Sequence, residues 1–283
     1  MNTAEHAEDA EHAEQLYLYI YAVTRDSDAV TDALDNVTGV AGEPVGGVRH
    51  LGLMALAGPV PAADYGEGRL PARLENLDRL EQIARAHQRV IDTVTATGPC
   101  VLPLRLATVF HDEAGVRTML ESRRSLLGSA LDRLDGRTEW GVKVHALPAD
   151  APPAPAPGGP RTGAPRAAMS GRDYLRRRVT ERHAHEKEAR RVEEAARGVH
   201  ATLAALAEET RLYPPQNPEL SRHPGHNILN AAYLVRHADG PRFTSAVGEL
   251  ADRAPGDGIR VELTGPWAPY SFAGAGTSAM EAP

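Results

Sequence analysis

Twelve histidines occur in this 283-residue chain, and imidazole is the side chain whose proton exchange and metal affinity fall nearest neutral pH. Their spacing limits what they can do. His183 and His185 are one residue apart in a segment of helical pattern, which puts them on different faces, and no H-E-x-x-H arrangement exists. His223 and His226 flank Pro224 and Gly225, a loop spacing compatible with metal binding but lacking a third ligand nearby. His6 and His12 belong to an acidic leader, and His87 falls on the apolar stripe of a helical pattern, the position of a hydrogen-bonded core histidine.

Nucleophile and phosphate chemistry find no more support. Cys100 is the only cysteine, set between Pro99 and Val101, and reads as a small buried hydrophobe rather than an activated thiolate. It allows no internal disulfide, which fits a reducing compartment. There is no G-x-S-x-G, no G-x-x-x-x-G-K-[ST] and no G-x-G-x-x-G following a strand. Arg105 sits inside the apolar run PCVLPLRLATVF, where a guanidinium must snorkel, pair with an acid or face a cavity. A ligand- or metal-binding regulator, or an enzyme, would have Arg105, His223 and His226 as its site candidates. With every familiar motif missing, the weight moves to a protein that works by contact, so no catalytic, cofactor or metal residue is assigned and no cofactor is expected.

The formal net charge of −7 argues against nucleic acid as the main partner, since phosphate affinity rests on clustered Lys and Arg. The run Arg176, Arg177 and Arg178 is followed by interleaved acids and reads as a solvated helix face. The leader MNTAEHAEDAEHAEQ is acidic, opposite in sign to a secretory n-region. No apolar stretch approaches the ~18 residues of a spanning helix. A soluble, cytoplasmic protein without a membrane partner is expected.

The elements that would position these residues follow from periodicity. LYLYIYAV at 16–23 reads as a strand covered on both faces, with a weak helix at 27–37 and a strand candidate at 48–56. Leu70, Leu74, Leu77, Leu80, Ile83, His87, Val90, Ile91 and Val94 recur at helical spacing. Pro103 should divide the 99–110 run into short extended pieces. One further helix is expected over 113–134, closed by Gly136. From residue 138 the order is strand (138–147), helix (170–212), strand (209–214), strand (227–236), helix (243–254) and strand (258–263), the succession of a split βαβ, ferredoxin-like sheet. The 170–212 pattern is long enough to predict a protruding helix, a coiled-coil surface or a break near Gly198.

The expected organisation is therefore α+β in two domains. A disordered acidic tail covers 1–15 and an N-terminal α+β domain 16–136. A C-terminal modified ferredoxin-like domain (βαββαβ) with packed helices covers 137–273, carrying a Pro/Gly-rich insertion at 148–169, and 274–283 form a flexible tail. The sequence LTGPWAPYSF at 263–272 gathers Trp267, Tyr270 and Phe272 in a chain with only three Phe and two Trp. Pro266 and Pro269 deny two backbone donors, so a rigid clasp, docked through these three aromatic residues, is expected to leave the last strand at Leu263.

Four segments together resemble the gas vesicle protein F/L family: LYLYIYAV near the start, PLRLATVF at 103–110, GRTEWGVKV at 136–144, and LNAAYLV at 229–235 with the closing LTGPWAPYSF. Where family members often carry an aromatic residue and a glycine after the arginine of the second segment, this chain has Leu106 and Ala107. The resemblance implies a non-enzymatic accessory protein of gas vesicle formation, whose partners are the major gas vesicle shell protein and other accessory proteins. It implies a role in nucleation or assembly, residence at the vesicle as a minor component, and leaves self-association open.

Overall fold

The computed structural model describes residues 15–66, 76–147, 171–215 and 226–274. The acidic leader, the Pro/Gly-rich insertion, Leu70, Leu74, His6, His12, His223 and the final tail lie outside the described residues. The chain folds as two compact units, Met1–Glu139 with Pro266–Pro283, and Trp140–Gly265. The fold is α+β, with one sheet of strands in each unit's core.

In the first unit, β1 (Leu16–Arg25) is the central strand. Its residues 19–24 are buried because it has strands on both sides: β3 (Leu53–Pro61) runs antiparallel along its whole length, and β4 (Val101–Pro103) and β5 (Val109–Phe110) share its other edge. β2 (Gly46–His50) completes the sheet beside β3. The single strand expected over 48–56 is thus two strands of a hairpin. His50 pairs with Leu53, and the two-residue loop has positive φ at both positions, 50° at Leu51 and 81° at Gly52, as a type I′ turn requires.

Helix α1 (Asp28–Leu34) and a single turn, α2 (Ala62–Tyr65), flank the sheet. Helix α3 (Leu77–Thr95) buries Ile83, Ala86, His87, Val90, Ile91 and Val94 along one stripe. It starts where the Asn76 side chain accepts the Arg79 amide (3.0 Å), which satisfies one of the unpaired donors of the first turn. Leu77, placed by the pattern on the apolar stripe, is the exposed first residue of that turn.

The helix expected over 113–134 is two helices, α4 (Glu113–Ser122) and α5 (Arg124–Leu134). Arg123, at φ −111° and ψ 10°, leaves the helical region between them. Gly136 follows α5 with φ 69°, the left-handed conformation that glycine adopts without a Cβ penalty.

The second unit takes β6 (Arg137–Ala146) from Trp140 onward, α6 (Gly171–Ala204), β7 (Glu209–Tyr213), β8 (His226–Arg236), α7 (Gly240–Arg253) and β9 (Ile259–Trp267) as far as Gly265. Its strands lie in the order β7-β8-β6-β9. The core is formed by Val142 and Val144 of β6, Tyr233 and Val235 of β8, Ile259 and Val261 of β9, and the helix residues Val192, Val199, Leu203, Phe243 and Val247. The long helix does not break at Gly198. Two side chains expected on the wet face of β6, Glu139 and His145, are buried, and the His145 ring lies 3.7 Å from the Glu262 carboxylate.

The last strand does not stop at Leu263. Gly265 takes φ 114°, and with that freedom the chain carries strand geometry through Pro266 to Trp267. The Trp267 side chain at its end is 38% exposed.

Candidate functional site

β1 brings polar side chains into the first unit's interior through its period-two alternation, which points Tyr17, Tyr19 and Tyr21 to one face. Tyr19 and Tyr21 are fully buried, and His87 is 3% and Glu43 8% exposed. The rings pack together: Tyr19 and Tyr21 centroids are 4.8 Å apart, and Tyr65 meets Tyr19 edge-on at 5.9 Å. Burying polar groups here costs stability unless each finds a partner.

Tyr19 uses its hydroxyl twice. The oxygen accepts the Ala107 amide (3.0 Å) and lies 3.0 Å from His87 Nδ1. Burial lowers the His87 pKa from 6.5 to about 4, with the Leu104 carbonyl acting in the opposite direction. The imidazole is therefore neutral at pH 7 and can accept the Tyr19 proton at Nδ1.

Tyr21 accepts the Val40 amide (2.9 Å) and donates to the Glu43 carboxylate. Glu43 Oε2 in turn takes the Ala41 amide (2.7 Å). Burial first, and then the hydrogen bond to Glu43, raise the Tyr21 phenol far above its ordinary pKa, so the proton stays on the tyrosine. Space for this arrangement is made by two glycines. A Cβ at Gly39 would lie 1.9 Å from Glu43 Oε1 and 2.1 Å from the Tyr21 oxygen, and one at Gly58 would lie 2.7 Å from the same carboxylate.

The loop that carries Arg105 is tied to the same strand. Leu104 N donates to Tyr21 O (2.9 Å) and Ile20 N to Thr108 O (2.8 Å), while Thr108 closes the turn on the Arg105 carbonyl. Ala107 has φ 68°, a left-handed conformation that costs an L-residue roughly 1 to 2 kcal/mol. Leu104 is buried and Arg105 is exposed. Arg105 therefore leaves the apolar run through a tight turn and has no buried charge to compensate.

The closing segment docks on this unit as well. Ala268, Phe272 and Ala273 are buried. The Ser271 amide donates to Glu139 (2.7 Å) and its hydroxyl to the other carboxylate oxygen. Tyr270 donates to Gln88 of α3 (2.9 Å), and Arg133 of α5 donates to the Phe272 carbonyl. A clasp does form, but Phe272 and backbone-directed hydrogen bonds hold it rather than Trp267.

These contacts are structural in kind. The Cys100 thiol is pushed up to about 12, first by burial and then by Asp135, so it carries no thiolate at neutral pH. His226 is exposed at the start of β8 in the second unit, and Arg105 is exposed in the first; neither unit gathers these candidates into a constellation of its own. Among the described residues no group of three or more His, Cys, Asp or Glu side chains is placed to hold a metal ion, and no helix is long and apolar enough to cross a membrane. The Tyr21–Glu43 lock was missed in the sequence. Its signal was weak: a lone glutamate between Gly42 and Pro44 has no periodicity to mark it.

Fold and interior together define the class, a two-sheet α+β protein whose first unit ties buried Tyr19, Tyr21, His87 and Glu43 into hydrogen bonds inside the core. Comparison with known proteins narrows it. The family model described as gas vesicle synthesis protein GvpL/GvpF matches residues 17–274. A Streptomyces protein named gas vesicle protein L is 48% identical over 256 residues, covering 90% of this chain and 92% of the relative. Gas vesicle protein F2 of Halobacterium salinarum is 26% identical over 258 residues, covering 90% and 91%. The crystal structure of gas vesicle protein GvpF from Anabaena sp. PCC7120 superposes with a TM-score of 0.63 at 19% identity, covering 91% of this chain and 96% of that one. GvpF from Microcystis aeruginosa gives 0.60 at 20% identity, covering 91% and 98%. The chain belongs to the gas vesicle synthesis protein GvpL/GvpF family, and with it to gas vesicle formation.

Proposed function

We propose that this protein is a non-enzymatic assembly factor, which binds the hydrophobic gas vesicle shell protein during nucleation or growth and stays on the vesicle as a minor component. Its family membership over residues 17–274 is the observation that carries this reading. The interior described above supports it: the strongest polar clusters of the first unit hold loops and a terminus in place. A shell subunit with an apolar face aggregates unless it is bound or delivered to a growing edge, and contact alone can do that. Other vesicle accessory proteins are partners of the same kind.

Co-expression tests the reading directly. Tagged full-length protein should capture the shell protein, and deletion of its gene should abolish or strongly reduce vesicles, with recovery on complementation. Vesicles of normal number and form in the deletion strain, together with no capture, would sink it. A concentration-dependent rise in melting temperature with a metal ion or small metabolite would instead favour a ligand-binding regulator.

A further inference from the structure

The second unit's sheet ends in two edge strands that present different side chains to solvent. An edge strand offers unpaired backbone groups to any extended chain that can lie against it. β9, at one edge, turns Ile259 and Val261 inward and exposes Arg260 between them. β7, at the other, exposes Leu212 (60%) and Tyr213 (41%) in succession. All of residues 210–215 are exposed, and Pro214 and Pro215 stop the strand only after these two side chains. Pairing with β8 sets Leu212 opposite Ala231 and Tyr213 opposite Asn230, so the leucine stands at the rim of one face and the tyrosine at the rim of the other.

The edge complements itself. Side chains that meet across an antiparallel pair lie on the same face, so two copies of β7 related by a two-fold axis can centre on Thr210, Arg211 or Leu212. Centring on Arg211 sets two guanidinium groups opposite each other, which is destabilising. Centring on Thr210 sets Leu212 against Glu208 and carries Tyr213 past the end of the partner strand. Centring on Leu212 sets the two leucines together on one face and Arg211 of each copy against the Tyr213 ring of the other on the opposite face, an aliphatic pair and two cation–π pairs. Both exposed apolar side chains are then covered by the strand that exposes them, which is the isologous contact of a two-fold dimer.

We propose that β7 pairs antiparallel with β7 of a second copy of this chain, centred on Leu212, so that the two second-unit sheets become one continuous sheet. β7 has five residues, and a contact of that length falls below the about 1,200 Å² at which stable interfaces begin, so the dimer forms and dissociates with concentration. This self-association goes beyond the assembly role and does not depend on it.

Sedimentation of the full-length protein over a rising concentration series tests the contact, and cysteine cross-linking tests its register. Wild type should shift from monomer towards dimer as concentration rises. Leu212→Lys should raise the dissociation constant at least ten-fold with an unchanged melting temperature, because the side chain it replaces is exposed; Leu77→Lys, at a 76% exposed leucine of the first unit, should leave it unchanged. In the proposed register Leu212 faces its own counterpart at the separation a disulfide spans, whereas the two Thr210 residues are about 13 Å apart along the strands. Under mild oxidation Leu212→Cys should therefore form a covalent dimer, and Thr210→Cys and wild type, whose one cysteine is Cys100, should not. Wild type that stays monomeric at every concentration overturns the proposal, as does a dimer that Leu212→Lys leaves intact. Cross-linking through Thr210→Cys but not Leu212→Cys overturns the register. Monomeric wild type that captures the shell protein, with capture lost in Leu212→Lys, assigns the edge to that protein and overturns the second copy as its occupant.

Discussion

At the scale of single residues, backbone conformation separates two positions that look alike in the sequence. Ala107 and Leu51 both have positive φ, but they are embedded differently. Ala107 is half-buried, packs against the first unit's core, and gives its amide to Tyr19. Glycine at this position retains the amide and removes the Cβ penalty, so Ala107→Gly should stabilise the protein by about 1 kcal/mol. Urea unfolding would show a higher midpoint at unchanged slope; a lower midpoint would mean that the Ala107 methyl contributes more by packing than its conformation costs. The family difference noted in the sequence at this position therefore has a conformational meaning: the turn after Arg105 is a left-handed one.

At the scale of elements, the C-terminal segment shows how far aromatic content can mislead about anchoring. Trp267, Tyr270 and Phe272 are equally conspicuous in the sequence. In the fold Phe272 is fully buried, while Trp267 is 38% exposed at the end of β9. Phe272→Ala should cost roughly 3 to 5 kcal/mol, the usual range for removing a buried ring, and Trp267→Ala less than about 1.5 kcal/mol. Thermal or denaturant unfolding of the two variants checks the order; equal losses would show that Trp267 is packed as Phe272 is. The same scale explains the split of 48–56 and of 113–134. Hydrophobic periodicity continues across both breaks, because the Leu51–Gly52 turn and Arg123 change backbone direction without interrupting the apolar pattern.

At the scale of the whole molecule, the buried neutral His87 links stability to pH. Its folded pKa of about 4 lies below the ordinary 6.5, so between those values the unfolded chain binds more protons than the folded one. Stability from this group is fully present above pH 6.5. It falls as pH drops, by on the order of 3 kcal/mol in all once pH 4 is reached. Urea midpoints of wild type should therefore decline more steeply from pH 7 to 4.5 than those of His87→Leu. Parallel profiles would show that His87 is protonated in the folded state without penalty.

The sequence by itself determined the α+β class, the order and approximate limits of the elements in the second unit, the core role of His87 and the family. Each rests on local periodicity, turn residues or a long run of similarity, all of which are written along one chain. Only the tertiary structure decided that Glu43 lies against Tyr21, that Arg105 leaves the core through a left-handed turn, that Glu139 captures Ser271, and that Leu51 stands exposed in a hairpin turn. These depend on residues brought together from distant positions, and on backbone angles that an alanine or a leucine does not announce. The hydrophobic pattern specifies which face of an element is buried, but burial of a polar side chain depends on the partner that satisfies it, and that partner is chosen by the fold.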